Sequence, residues 1–100
     1  MPVIYHVTTA AEWESAKTTG FYSTSSLQAE GFIHCSADDK QVAGVLQRYF
    51  AGKTNLVKLV IDTDKLLSRY IYEWSPSIAD TFPHVYGPIN TDAVINVQKI

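Results

Sequence analysis

A single cysteine is too few for an intrachain disulfide. The 100-residue chain must therefore be held by burial and hydrogen bonds, and a reducing, cytoplasmic setting is the expected one. Charge is also scarce, at 18% of residues, with a formal net charge of −2 and no Lys/Arg cluster. Broad binding to nucleic acid or to an anionic membrane surface needs concentrated positive charge and is excluded on that ground; a single small anion held locally is not. The chain shows no basic segment followed by an apolar one, and no apolar run reaches the roughly 18 residues of a membrane span, so neither a signal peptide nor a membrane association is expected. Neither G-x-G-x-x-G nor G-x-x-x-x-G-K-[ST] occurs, which removes the usual glycine-rich phosphate cradles. Gly and Pro are thinly spread and no repeat is present, so one domain over residues 1–100 is expected.

What is present is a set of short apolar runs, three of which carry the three histidines. Val3 to Val7 is β-branched and encloses His6, and reads as a first strand. Thr9 followed by Glu12 is a capping-box pattern opening a helix with Ala10, Trp13 and Ala16 on one face, and Gly20 ends it. Phe21-Tyr22 is compatible with the start of a short strand, but the hydroxyls of Ser23-Thr24-Ser25-Ser26 favour turns and caps, so residues 21–27 read as loop with one helical turn at most. Gly31 to Ser36 reads as a strand. Ser36 and Asp39 then signal a second helix, in which Val42, Val45, Leu46, Tyr49 and Phe50 follow amphipathic spacing up to Gly52.

Leu56 to Ile61 is a dense aliphatic strand, and Asp64 to Leu67 reads as a helical turn. Tyr70 to Trp74 alternates, which puts Glu73 on the face opposite Tyr72 and Trp74. Residues 75–81 read as loop, His84 to Tyr86 as a brief strand, and Val94 to Ile100 as the last one. Regular βα alternation fails after residue 52. The pattern predicts an α+β fold with mainly antiparallel strands and two main helices in the first half.

Alternation within the strand at 31–36 puts Phe32, His34 and Ser36 on one face and Ile33 and Cys35 on the other. Cys35 then reads as an inert core thiol, while His34 needs a hydrogen-bond partner or a chemical task. A histidine lining a cleft can bond ribose hydroxyls or move a proton near neutral pH, a carboxylate such as Glu73 can stabilise developing positive charge, and Tyr22, Trp74 or Tyr86 can stack on a base. The structural alternatives are a satisfied core histidine at His6 or His34, a loop brace at His84, an ion-pair partner at Glu73, and helix caps at Thr8 and Ser36. The three histidines lack any local ligand spacing, so no metal is expected. Serine or cysteine nucleophile chemistry lacks its usual flanking residues.

Tyr5-His6-Val7-Thr8, Glu30-Gly31-Phe32-Ile33-His34-Cys35-Ser36 and Phe82-Pro83-His84-Val85-Tyr86-Gly87-Pro88 together resemble the small bacterial family called domain of unknown function 952, over residues 3 to 97. That family is similar in fold to the ADP-ribosyltransferase superfamily, whose domains bind NAD in a cleft between two antiparallel sheets. The resemblance therefore implies a split sheet and NAD, or a related nucleotide, as ligand and possible substrate. His6 resembles the histidine that contacts ribose in the His-Gly-Thr pattern of poly-ADP-ribose polymerases, with Val7 in place of the glycine. His34 and Ser36 resemble the His-Leu-Ser stretch of the RNA 2′-phosphotransferase branch, whose arginine set this chain lacks. The late-sheet glutamate of the superfamily has its counterpart in Glu73, with His84 as the competing residue.

The implied site thus has His34, Glu73 and His84 as catalytic candidates and His6, Thr8, Ser36 and Tyr86 as ligand-binding ones. Whether such a cleft is catalytic the sequence leaves open. An enzyme here would be an NAD-dependent transferase catalysing ADP-ribosyl transfer or NAD glycohydrolysis. The alternative is a non-catalytic metabolite- or protein-binding module of the same fold. Nothing in the sequence speaks to oligomeric state.

Overall fold

The computed structural model describes residues 2–100. The first strand, β1 (Val3–Thr9), buries Ile4, His6 and Thr8 on one side and runs directly into α1 (Ala10–Thr19). Thr9 is the N-cap, its hydroxyl accepting from the Glu12 amide at 3.1 Å, and Gly20 at φ +87° closes the helix in the left-handed conformation that glycine tolerates. Trp13 and Ala16 are the buried face, as their spacing predicts.

Residues 21–27 hold more structure than a loop. Phe21–Tyr22 form a short strand, β2, and Ser25–Glu30 form a helix, α2, so the first half carries three helices rather than two. Thr24 caps α2 by accepting from the Leu27 amide at 3.3 Å; the hydroxyls that argue for a turn here serve as a helix start. Gly31, at φ +87°, closes α2, so it cannot open the next strand.

The next strand, β3, is Ile33–His34 only, shorter than the expected 31–36. Pro83 explains its C-terminal limit. The Pro83 carbonyl accepts from the Cys35 amide at 3.0 Å, but proline has no N–H to return the bond, and the ladder stops there. The following helix, α3 (Asp39–Tyr49), is capped by Asp38, which accepts from the Gln41 amide at 2.8 Å, and not by Ser36. Ser36 is occupied in a backbone bridge to Tyr5. Phe50 ends α3, ahead of Gly52.

The central strand β4 (Leu56–Asp62) pairs with β1 on one side and with β8 (Val94–Lys99) on the other. Between them come β5 (Tyr70–Ser75), β6 (Asp80–Val85) and β7 (Ile89–Asn90). The β6 strand begins well before His84, so the expected 75–81 loop narrows to residues 76–79. A single 3₁₀ turn at Thr63–Lys65 stands where the helical turn at 64–67 is expected. Three antiparallel sheets result, in the orders β1-β4-β8, β2-β7 and β3-β6-β5, and the fold is α+β with antiparallel strands. Ile4, Ile33, Leu59, Ile61, Val85 and Ile89 are fully buried and form the main core with Trp13 and Tyr22. A smaller cluster seats α3 on β1 through Val7, Val42 and Leu56. Among the described residues no helix is long and apolar enough to cross a membrane.

Cys35 lies in the main core with Ile33, as strand alternation predicts, and burial pushes its thiol above the ordinary range. Folded protein at pH 8 should resist thiol-reactive dye, releasing one reactive thiol per chain only in denaturant. Rapid stoichiometric labelling of the native chain would contradict that burial.

Candidate functional site

The two larger sheets meet at the Tyr5–Ser36 bridge, where each amide donates to the other's carbonyl at 2.8 and 2.7 Å. The bridge is isolated, and among the described residues no further ladder joins the two sheets. The carbonyl of His34 accepts from the His6 imidazole Nδ1 at 2.6 Å, so a side chain crosses the gap between the sheets. Beside the bridge lies a cleft of about 800 Å³, walled by His6 of β1, by Phe32, His34 and Ser36 in and around β3, by His84 of β6, by Arg48 and Tyr49 of α3, and by residues 75–78 at the end of β5 and in the turn that follows.

His6 is buried and both its nitrogens are engaged. A carbonyl only accepts, so Nδ1 carries the proton, and Nε2 accepts from the Tyr22 hydroxyl at 2.8 Å. Loss of hydration on burial lowers its pKa to about 4, against the opposing pull of the His34 carbonyl bond and of Glu12. The ring is thus neutral and held in one tautomer at physiological pH. Burial likewise pushes the Tyr22 phenol upward, so it remains a donor.

His34 and His84 face each other across the β3–β6 pair, with ring centroids 5.3 Å apart. Phe32 organises them: its ring stacks on His84 at 4.0 Å and meets His34 edge-on at 4.8 Å. Each imidazole has a carboxylate. His34 Nε2 bonds Glu30 Oε2 at 2.9 Å, an exposed pair worth well under about 1 kcal/mol. His84 Nδ1 donates to Glu73 Oε1 at 2.9 Å, and the Tyr86 hydroxyl donates to the same oxygen. These two bonds, the tyrosine's first, hold the Glu73 carboxyl below the usual carboxylate range, and the Glu73 anion in turn raises the Tyr86 phenol.

With Nδ1 committed to Glu73, His84 has Nε2 left. No buried side-chain nitrogen or oxygen among the described residues lacks a partner, so Nε2, which no described residue bonds, is reached by solvent. The arrangement is a carboxylate–imidazole pair with its far nitrogen open beside the cleft, the geometry of a positioned proton acceptor.

Of the residues singled out by sequence, His6, His34, Ser36, Trp74 and His84 are on the cleft wall. Glu73 and Tyr86 are not on it; Glu73 shares the sheet face of Phe82 and His84 and bonds both the His84 ring and the Tyr86 hydroxyl, so Glu73 and His84 are partners rather than competitors. Thr8 is apart: it is buried, and its hydroxyl donates to Glu12 at 3.2 Å. Three participants went unselected. Glu30 stands four residues before His34, a spacing legible in the sequence. Phe32 is flagged only by its strand face, and Arg48 only as a polar position of an amphipathic helix. No three His, Cys, Asp or Glu side chains among the described residues come together as a metal site.

The family described as protein of unknown function (DUF952) matches residues 7–97. The crystal structure of protein CC0527 from Caulobacter crescentus is similar at 32% identity and a TM-score of 0.84, covering 95% of this chain and 82% of that one. The solution NMR structure of the same protein gives 31% identity and a TM-score of 0.82 over 100% of this chain and 85% of that one. A comparison with curated proteins finds no match. By the extent of the family match, which takes in His34 and His84 with their motifs and begins one residue after His6, the chain belongs to the DUF952 family of proteins of unknown function.

Proposed function

We propose that the cleft binds NAD or a related nucleotide and that His84, oriented by Glu73, moves a proton in ADP-ribosyl transfer or NAD glycohydrolysis. The observation that carries this reading is the meeting of His34 and His84, far apart in sequence, on one cleft that His6 also borders. Its volume of about 800 Å³ suits a nucleotide-sized ligand. Residues of both larger antiparallel sheets line it, and the superfamily that these motifs resemble holds NAD in a cleft between two antiparallel sheets.

In the hydrolytic reaction the bond between ribose C1′ and the nicotinamide nitrogen breaks. Both electrons go to the pyridinium ring, which leaves as neutral nicotinamide. Water adds at C1′, and the proton it sheds passes to His84 Nε2 and then to solvent. In transfer, an acceptor's nucleophile replaces the water. The Glu73 anion, held by Tyr86, keeps the imidazole oriented and favours the imidazolium that forms. His34 and Ser36 meet the ribose hydroxyls, and His6 fixes the backbone of His34 rather than touching the ligand.

The test is release of nicotinamide from NAD by the purified chain, with ADP-ribose appearing in equal amount or joined to an acceptor. Absence of both release and binding at millimolar NAD would end the proposal. A second reading, a binding module without catalysis, is favoured by the fact that Glu73 is not on the cleft wall and has two donors already on one oxygen. It expects NAD or ADP-ribose to raise the melting temperature with no nicotinamide released.

A further inference from the structure

Among the described residues the cleft wall carries one Lys or Arg side chain, Arg48, near the end of α3. It has no carboxylate within ion-pair distance, whereas Lys17 pairs with Glu14 and Lys58 with Asp39. A cation beside a cleft with no acidic partner is available to an anion from solution.

A second observation concerns Gly44, one turn earlier on the same helical face. A glycine inside a helix weakens it relative to alanine, because the backbone loses more freedom on ordering. Here the missing side chain has a use. A Cβ at position 44 would come within 2.8 Å of Arg48 Nη1 and 3.4 Å of its Cζ and Nη2. The guanidinium of this exposed residue therefore lies in the space that alanine at 44 would fill, folded back along the helix. The helix α3 is one wall of the cleft.

We propose that Arg48, bedded on Gly44, is an anion seat that takes a phosphate group of the cleft's ligand. Planar guanidinium donors match two oxygens of one phosphate, a geometry a lysine does not offer. Ser75, at the end of β5, and Ser77, in the turn that follows, line the same cleft, with their hydroxyls 3.5 Å apart. The inference deepens the nucleotide reading and rests on it for the identity of the ligand: the site selects the phosphorylated form over the bare nucleoside.

The experiment is calorimetric titration of the native chain, Arg48→Gln and Gly44→Ala with three probes: ADP-ribose, nicotinamide riboside and inorganic pyrophosphate. For Arg48→Gln the expected result is a loss of about tenfold or more in affinity for ADP-ribose and pyrophosphate, the worth of one charge-assisted contact, with nicotinamide riboside unaffected. Gly44→Ala is expected to raise the melting temperature while weakening the same two probes, a combination that a general loss of structure does not produce. Should the native chain bind pyrophosphate through Arg48 but neither nucleotide nor nucleoside, the anion seat stands and the nucleotide reading falls. Equal affinity of native and Arg48→Gln protein for the phosphorylated probes, or no binding of pyrophosphate and ADP-ribose at all, would overturn the seat.

Discussion

His84→Ala is expected to lower nicotinamide release by about 100-fold or more, the usual contribution of a positioned general acid–base group. The reason lies in the division of labour between the two ring nitrogens. Nδ1 donates to Glu73, so Nε2 is the one nitrogen left to take a proton, and solvent reaches it. Phe32 stacks on the ring at 4.0 Å and removes its freedom to turn away. Glu73 acts through His84, so it is a positioning residue, and its variants should behave differently. Glu73→Gln keeps an oxygen that accepts from Nδ1 and loses the charge; it should lower kcat by about tenfold with KM little changed, since the loss is felt as the imidazolium forms. Measurement is by steady-state nicotinamide release on variants whose melting curves match the native one. Full activity in His84→Ala would remove the histidine from the mechanism.

The second large effect is on stability in mild acid. His6 has a pKa of about 4 in the folded chain against 6.5 for an ordinary histidine, because burial disfavours the charged ring. Between these values the unfolded chain binds a proton that the folded one refuses, so stability falls as pH drops below about 6.5 and the loss is complete below about 4. Going from pH 7.5 to 4.5 this one residue should cost about 2–3 kcal/mol, a large part of the stability of a chain this size. Urea titrations at the two pH values measure it. In His6→Asn the amide keeps a donor for the His34 carbonyl but leaves the Tyr22 hydroxyl without its acceptor. That variant should lose about 1–3 kcal/mol at pH 7.5 and show a pH dependence reduced by the His6 share. Glu73 and Asp80 also lose stabilising hydrogen bonds as they are protonated, at lower pH, and the comparison with His6→Asn separates their share.

Local signals in the sequence carried the secondary structure where one interaction dominated. Thr9 with Glu12 and Gly20 bound α1 because cap geometry depends on a few adjacent residues, and the aliphatic run at 56–61 is a strand by burial alone. The misread segments are those where a distant residue decides. Ser36 resembles a cap as well as Asp38 does, and only its bridge to Tyr5 disqualifies it. The strand at 31–36 is cut short by Pro83, about fifty positions away along the chain, and by Gly31 serving α2.

The site shows the same division. Histidines in strand contexts were legible as candidates, and strand parity separated His34 from Cys35. The sequence could not show that His6 has both nitrogens engaged, since its partners come from β2 and β3, or that Glu73 and His84 act together. Arg48 was invisible as a site residue because amphipathic spacing marks it as solvent-facing. What singles it out is the cleft on that side and the space over Gly44.

The central claim is that His34 and His84 border one nucleotide-binding cleft while His6 is locked beneath it. Imidazole nitrogen resonances of the ¹⁵N-labelled chain, followed through a titration with ADP-ribose, test this directly. The account expects the ring signals of His34 and His84 to move together and saturably, with the His6 ring a neutral Nδ1–H tautomer throughout. Ring signals of His34 and His84 that stay fixed at millimolar ADP-ribose, or a His6 ring that titrates near 6.5, would contradict it.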